Sequence, residues 1–144
     1  HIDRPRLIAQ SLAMRGEALA LSGDLPLGRA QVALALSVAR QQEDRLAQVE
    51  ALRILACIER VAGVLEAAER WAGEALAIAA QLDHPWAVAE VERDLATILA
   101  AAHRVDDAAA ALNRAGACYA RLGSAERARQ MRERAAALLN PRPE

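Results

Sequence analysis

The residues best suited to chemistry in this sequence surround Cys57. Arg53 and Arg60 lie four residues before it and three after it, so a helix here would carry both guanidinium groups on the face of the thiol. Cations beside a thiol favour the nucleophilic thiolate. No histidine stands near Cys57 in sequence, however, and no triad is visible. His84 and His103 fall in turn-like stretches with Asp83, Asp106 and Asp107 close by, but no HExxH pattern or i, i+4 histidine pair exists to hold a metal. A phosphate-binding GxxxxGK[ST] loop is excluded because the chain contains no lysine at all. No catalytic residue, metal ligand or cofactor site is therefore assigned, and the chain reads as a non-enzyme.

The remaining charges are patterned. Glu50 precedes Arg53 by three residues, and Glu90 precedes Arg93 by the same interval, a spacing that lets each pair meet along its own helix. Near the end, Arg127, Arg129, Arg132 and Arg134 face only Glu126 and Glu133. Such a helix serves as a solvated cap or as a phosphate contact, and the absence of interleaved aromatic residues weighs against nucleic acid. The net charge of −1 points the same way, since no chain-wide field exists to attract a polyanion or an anionic membrane. No apolar run free of charges reaches the roughly 20 residues that span a bilayer. Cys57 and Cys118 form neither a disulfide framework nor a metal pair, which fits a reducing, cytoplasmic setting. The sequence opens on His1 rather than Met, and we expect a segment of a larger protein or a residue left from an expression tag.

What positions these side chains is a helical repeat. The 144 residues are 54% hydrophobic but only 2% aromatic, with no Phe, so apolar character comes from Ala, Leu, Val and Ile. Ala and Leu are strong helix formers. A register without gaps aligns residues 23–40, 63–80 and 103–120, a period of 40. In it Gly28 coincides with Ala68 and Ala108, Ala35 with Ala75 and Ala115, and Gly16 with Ala56 and Ala96. Small residues at matched places are what two closely crossing helices require.

Each copy reads as two helices. The first spans roughly 5–22, 45–62 and 86–102, and the second roughly 25–41, 65–81 and 105–122, to about two to four residues. Gly23 and Gly63 suit the left-handed residue that ends a helix. Asp24 and Asp83 suit side-chain capping of the next one, and Pro26 and Pro85 suit an opening turn. Ser124 is placed to cap a last helix that runs to about Leu139, where Asn140 and Pro141 stop it. A single pair cannot bury both its faces, so the pairs must stack.

The series Leu12, Gly16, Leu19, Gly23, Leu25, Gly28, Val32, Ala35 resembles the tetratricopeptide repeat, as do Leu52, Leu55, Ala56, Gly63, Leu65, Ala68, Ala75 and Leu95, Ala96, Leu99, Val105, Ala108, Leu112, Ala115. The likeness runs from about Leu7 to Leu139. Leu, Val or Glu59 occupy the aromatic positions of the consensus, Glu92 replaces a large apolar residue, and the period exceeds the usual 34 or so. Longer repeats of this kind are similar to those of large bacterial transcription regulators of the LuxR and maltose-regulator type, and of related kinases and signalling ATPases.

The resemblance implies an all-α, right-handed solenoid forming one domain, with repeats at about 7–46, 47–86 and 87–123 and a capping helix at 124–139. It further implies a groove lined by the first helix of each pair. Gln10, Ala13 and Glu17 would face it from the first copy, Glu50, Arg53, Cys57 and Arg60 from the second, and Glu90, Arg93 and Thr97 from the third. These are either solvated charges or contacts for a docked peptide or helix. The residues that would clamp a chaperone tail are not matched, because Ala13 stands in place of a cation and Glu17, Cys57 and Thr97 in place of amides. Trp71 aligns with Gln31 and Ala111, so the repeat does not demand it; it either fills a local gap or anchors a partner on the convex side. Trp86 is placed to staple a helix start to the preceding turn.

The expected role is an interaction module in a bacterial signalling or transcription-regulatory protein. Its partner would be a protein, a peptide or a neighbouring domain of the same chain. Two other readings stand beside it: a ligand-sensing or autoinhibitory domain, and a self-association module forming a homodimer.

Overall fold

Among the described residues, alanine-rich windows of 15 to 18 residues, the first six each followed by a turn residue with left-handed backbone, fold as seven helices: α1 (Arg4–Leu21), α2 (Leu25–Gln41), α3 (Arg45–Val61), α4 (Leu65–Gln81), α5 (Pro85–Ala101), α6 (Val105–Arg121) and α7 (Ala125–Leu139). The computed structural model describes the backbone of residues 4–141 and the side chains of residues 7–141. His1 lies outside the described residues. No strand occurs among them, and each helix begins and ends within one residue of the spans expected from the repeat.

The turns are more regular than the glycines suggest. Residues 23, 43, 63, 83, 103 and 123 all have positive φ, a spacing of 20, yet only Gly23, Gly63 and Gly123 are glycine. Glu43, Asp83 and His103 adopt the same conformation at φ 53°, 52° and 61°. Each turn closes with the same two bonds: Gly23 N–H donates to the Ala20 carbonyl at 3.1 Å and Asp24 N–H to the Leu19 carbonyl at 2.9 Å, and the pattern recurs to Ser124 N–H on Tyr119. Two orphan carbonyls per helix are satisfied in this way.

The next helix starts one residue later. Asp24 accepts from Leu27 N–H at 3.2 Å and Asp44 from Ala47 N–H at 3.0 Å. The expectation for Asp83 is corrected. Its backbone takes the left-handed position, so the cap falls to His84, whose Nδ1 accepts from Ala87 N–H at 3.1 Å. Ser124 does stand at the N-cap of α7, but its side chain makes no capping bond.

The chain divides into two compact units, His1–Ile78 and Ala79–Glu144, with the boundary inside α4. In the first, α1 packs on α2 and α3, and α2 on α3. The α1–α2 crossing is set by glycine: a Cβ on Gly28 would lie 2.6 Å from the Gly16 carbonyl oxygen and 2.8 Å from the Ala20 nitrogen, both backbone atoms. Around it Val32, Leu36, Val49, Leu52 and Leu55 are buried.

In the second unit α6 packs on both α5 and α7. Tyr119 and Leu112 are buried at its centre, with Ala128, Met131 and Ala135 supplied by α7. Trp86 packs against this cluster. Its ring lies edge-on to Tyr119, with centroids 5.5 Å apart and planes at 75°, and the Arg127 guanidinium sits 4.8 Å above it. Trp86, at the start of α5, thus makes contacts with α6 and α7.

Candidate functional site

The first helix of each pair carries the residues singled out in the sequence. On α1, Gln10 is half-buried and Glu17 exposed. Ala13, expected at the groove surface, instead belongs to the core, being buried beside Ala9 and Ala20 on the side of α1 that meets its neighbours. On α3, Glu50 is exposed, whereas Arg53, Cys57 and Arg60 are half-buried on one face. Arg60 Nη2 lies 3.7 Å from Cys57 Sγ. The thiol thus has a guanidinium neighbour, as the spacing required, and it is a free cysteine.

On α5, Glu90, Arg93 and Thr97 are half-buried. Arg93 Nη2 pairs with Glu90 Oε2 at 2.6 Å, and Thr97 Oγ1 donates to the Arg93 carbonyl at 3.2 Å. Both bonds run along a single helix, and the first holds the guanidinium against Glu90. Trp71 on α4 is half-buried.

A small open cleft lies within the first unit, between α1, the start of α2 and α3. Leu21, Leu25, Ile54, Ile58 and Val61 form its apolar walls, with Cys57 and the methylene groups of Glu17 at its edge. Leu21 is 73% exposed and Val61 53%. This cleft joins Glu17 to Cys57, two residues that the repeat register had assigned separately to the groove. Its apolar character was legible only in hindsight, since Leu21, Ile54 and Val61 lie outside the consensus positions of the repeat.

Two buried carboxylates were missed. Glu59 and Glu92, read as departures from the consensus, are among the most enclosed charged groups described, with only 7% and 4% of their surface exposed. Arg29 Nε on α2 meets Glu59 Oε1 at 2.5 Å, and Arg114 Nε on α6 meets Glu92 Oε1 at 3.0 Å. Each bond ties one helix to another, and a buried carboxylate without such a partner is costly. The partners lie 30 and 22 residues away, beyond any local spacing rule.

The arginines of α7 are engaged in part. Arg127 covers Trp86, and Arg129 bridges Glu126 and Glu133 along the helix. The Arg129 hydrogen bond, followed by one from Gln130, holds the Glu126 carboxyl below its ordinary range. Arg132 and Arg134 are exposed. Among the described residues there is no group of three metal-binding side chains and no helix long and apolar enough to cross a membrane.

No protein-family model matches the sequence, and no curated protein matches it either. Solved structures are similar. BtubC (BKLC) from P. vanneervenii aligns over 97% of this chain and 68% of its own, with a TM-score of 0.70 and 21% identity. A Podosopora anserina kinesin light chain variant with nearly identical TPR-like repeats aligns over 96% of this chain and 69% of its own, with a TM-score of 0.77 and 15% identity.

The repeats are TPR-like. At these identities the likeness establishes the fold and carries no partner across. Glu59 and Glu92 thus mark where a TPR-like framework has exchanged an apolar contact for a paired charge.

Proposed function

We propose that the chain is a non-enzymatic protein-interaction scaffold whose working surface is the first-helix face of its TPR-like repeats. The observation that carries this reading is the cleft of the first unit. An apolar floor with an exposed rim and a few oriented charges is the form of a peptide- or helix-docking surface. Gln10, Glu17, Glu50, Arg53, Cys57 and Arg60 serve it in the first unit, and Glu90, Arg93 and Thr97 offer a comparable charged surface in the second. Trp71, half-buried and not required by the repeat, is a secondary anchor for a partner on the other side.

The 40-residue period and its resemblance to the long repeats of LuxR-type regulators support a narrower role, as the interaction part of a bacterial signalling or transcription-regulatory protein. The free thiols of Cys57 and Cys118 are consistent with a cytoplasmic setting. In this role the partner is a peptide, a helix or a neighbouring domain, and binding requires no cofactor.

A random peptide library panned on the immobilised chain tests the reading. Selected peptides are expected to lose binding to a chain carrying Arg53→Glu and Arg93→Glu, with unchanged helical circular dichroism. Peptides that bind equally well to that variant and to variants in the cleft overturn it.

A further inference from the structure

Leu7, Ser11, Met14, Ala18 and Leu21 recur at the alternating spacing of four and three residues that draws one straight seam along α1. All five are exposed, Met14 by 72% and Leu7 by 52%. On the opposite side of the helix Gly16 and Ala20 meet Gly28 of α2. α1 is therefore small or aliphatic on two opposite sides, the pattern of a helix that is covered on both.

One period later the same seam is covered. Ala47, Ala51 and Ile58 stand on α3 where Leu7, Ser11 and Ala18 stand on α1, and all three are buried. This side of α3 faces the helix pair before it: Ile54, Ile58 and Val61 line the cleft whose far side is α1 and the start of α2, and Gln48 Nε2 reaches the Ala39 carbonyl of α2 at 3.5 Å. Ala87, Val91 and Ile98 hold these places in α5 and are buried too. The seam is thus where a first helix receives the preceding pair, and of the three first helices only α1 presents its whole length to water.

The other end of the array is finished differently. α7 packs on α6 through Ala128, Met131 and Ala135, and turns outward Glu126, Arg129 and Glu133, which pair along the helix. A polar outer face of this kind is what closes a stack of repeats. The seam of α1 carries no charge.

We infer that α1 receives a further TPR-like helix pair from the polypeptide upstream of residue 1, seated on the seam as α1 and α2 are seated on α3. Ser11, like Ala51, is small enough to let the covering helix come close. A second copy of the chain is the poorer occupant. Its α6 is already covered by α7, and two α1 helices paired antiparallel across Met14 would set Arg15 against its own copy.

Amide hydrogen exchange of residues 1–144, compared with that of the natural polypeptide extended upstream by one 40-residue period, tests the inference. In the longer chain the amides of residues 7–18 are expected to exchange about tenfold or more slowly. Leu7→Glu with Met14→Glu is expected to leave the melting temperature of residues 1–144 unchanged and to lower that of the longer chain by about 5 °C or more. Equal exchange in the two lengths, equal tolerance of the double substitution, or a natural polypeptide without upstream residues overturns the inference. A dimer of residues 1–144 in light scattering that Met14→Glu dissociates assigns the seam to a second copy and likewise overturns it. None of these outcomes depends on the peptide selections that test the scaffold reading.

Discussion

The α1–α2 crossing and the α5–α6–α7 cluster solve one packing problem in opposite ways. In the first, Gly16 and Gly28 bring two backbones so close that neither position has room for a methyl group. In the second, Tyr119 fills the centre, Trp86 leans on it, and Arg127 covers the indole. Gly116 of α6 is correspondingly less confined: a Cβ there would sit 3.3 Å from the Ala128 carbonyl oxygen and 3.4 Å from Met131 Cβ. One crossing depends on closeness and the other on volume. A chain almost without aromatic residues thus spends two of its few rings in one place, because small side chains alone give each contact only about 0.8 kcal/mol per buried methylene.

The largest expected effect breaks the second arrangement. Tyr119→Ala removes a fully buried ring and is expected to destabilise the fold by about 4 kcal/mol in urea unfolding, with loss of the near-ultraviolet signal of Trp86. Gly28→Ala comes next, at about 2 to 3 kcal/mol, because the added methyl meets backbone atoms that cannot give way. Gly116→Ala is the matched control: its contacts are side-chain methylene groups and one carbonyl at tolerable range, and the helix propensity gained offsets them to within about 1 kcal/mol. Equal losses at Gly28 and Gly116 would erase the distinction drawn between the two crossings.

Charge sharpens the comparison further. Arg114→Ala leaves the Glu92 carboxylate enclosed without its partner and is expected to cost about 2 kcal/mol, below the full buried-pair value because Arg114 is half-exposed. Glu92→Leu, which places at this repeat position the residue that Leu12 and Leu52 supply in the other copies, is expected to be neutral or stabilising by about 1 kcal/mol. Strong destabilisation by the leucine would show that the pair specifies the packing rather than merely satisfying a buried charge.

A smaller gain is expected at the turns. His103→Gly relieves a left-handed residue at φ 61° that is not glycine, and should stabilise the second unit by about 1 kcal/mol, less the extra freedom of glycine in the unfolded chain. The smallest effect is at α7. The Glu126 carboxyl is held below its ordinary range by Arg129, so its contribution is present at neutral pH and is lost as pH falls below that range. Glu126→Gln is therefore expected to lower the melting temperature slightly near neutral pH and progressively less as the solution is acidified through the carboxylate range, with salt reducing the difference because the group is exposed.

Much of this architecture was legible in the amino-acid sequence. The boundaries of the helices followed from the 40-residue register and from Gly23 and Gly63, because a stop signal and a period are local properties. The crossing at Gly16 and Gly28 was legible for the same reason. Glu43, Asp83 and His103 were not read as left-handed, since their residue types do not announce the conformation that the tertiary fold imposes. The pairing of Glu59 with Arg29 and of Glu92 with Arg114 was also hidden, as it joins residues on different helices without any fixed spacing.

The candidate site divides along the same line. The register placed Glu17, Cys57 and Arg60 on first helices, and the guanidinium beside Cys57 followed from spacing within one helix. The apolar cleft did not, because Leu21, Leu25 and Val61 meet only once α1, α2 and α3 are packed.

Amide hydrogen exchange of the chain with and without a library-selected peptide tests the central claim most directly. Binding at the cleft predicts added protection in the later turns of α1 and α3, around residues 17–21 and 54–61, with α7 unchanged. Protection confined to α7 or to the Trp71 face of α4, with α1 and α3 unaltered, would contradict it.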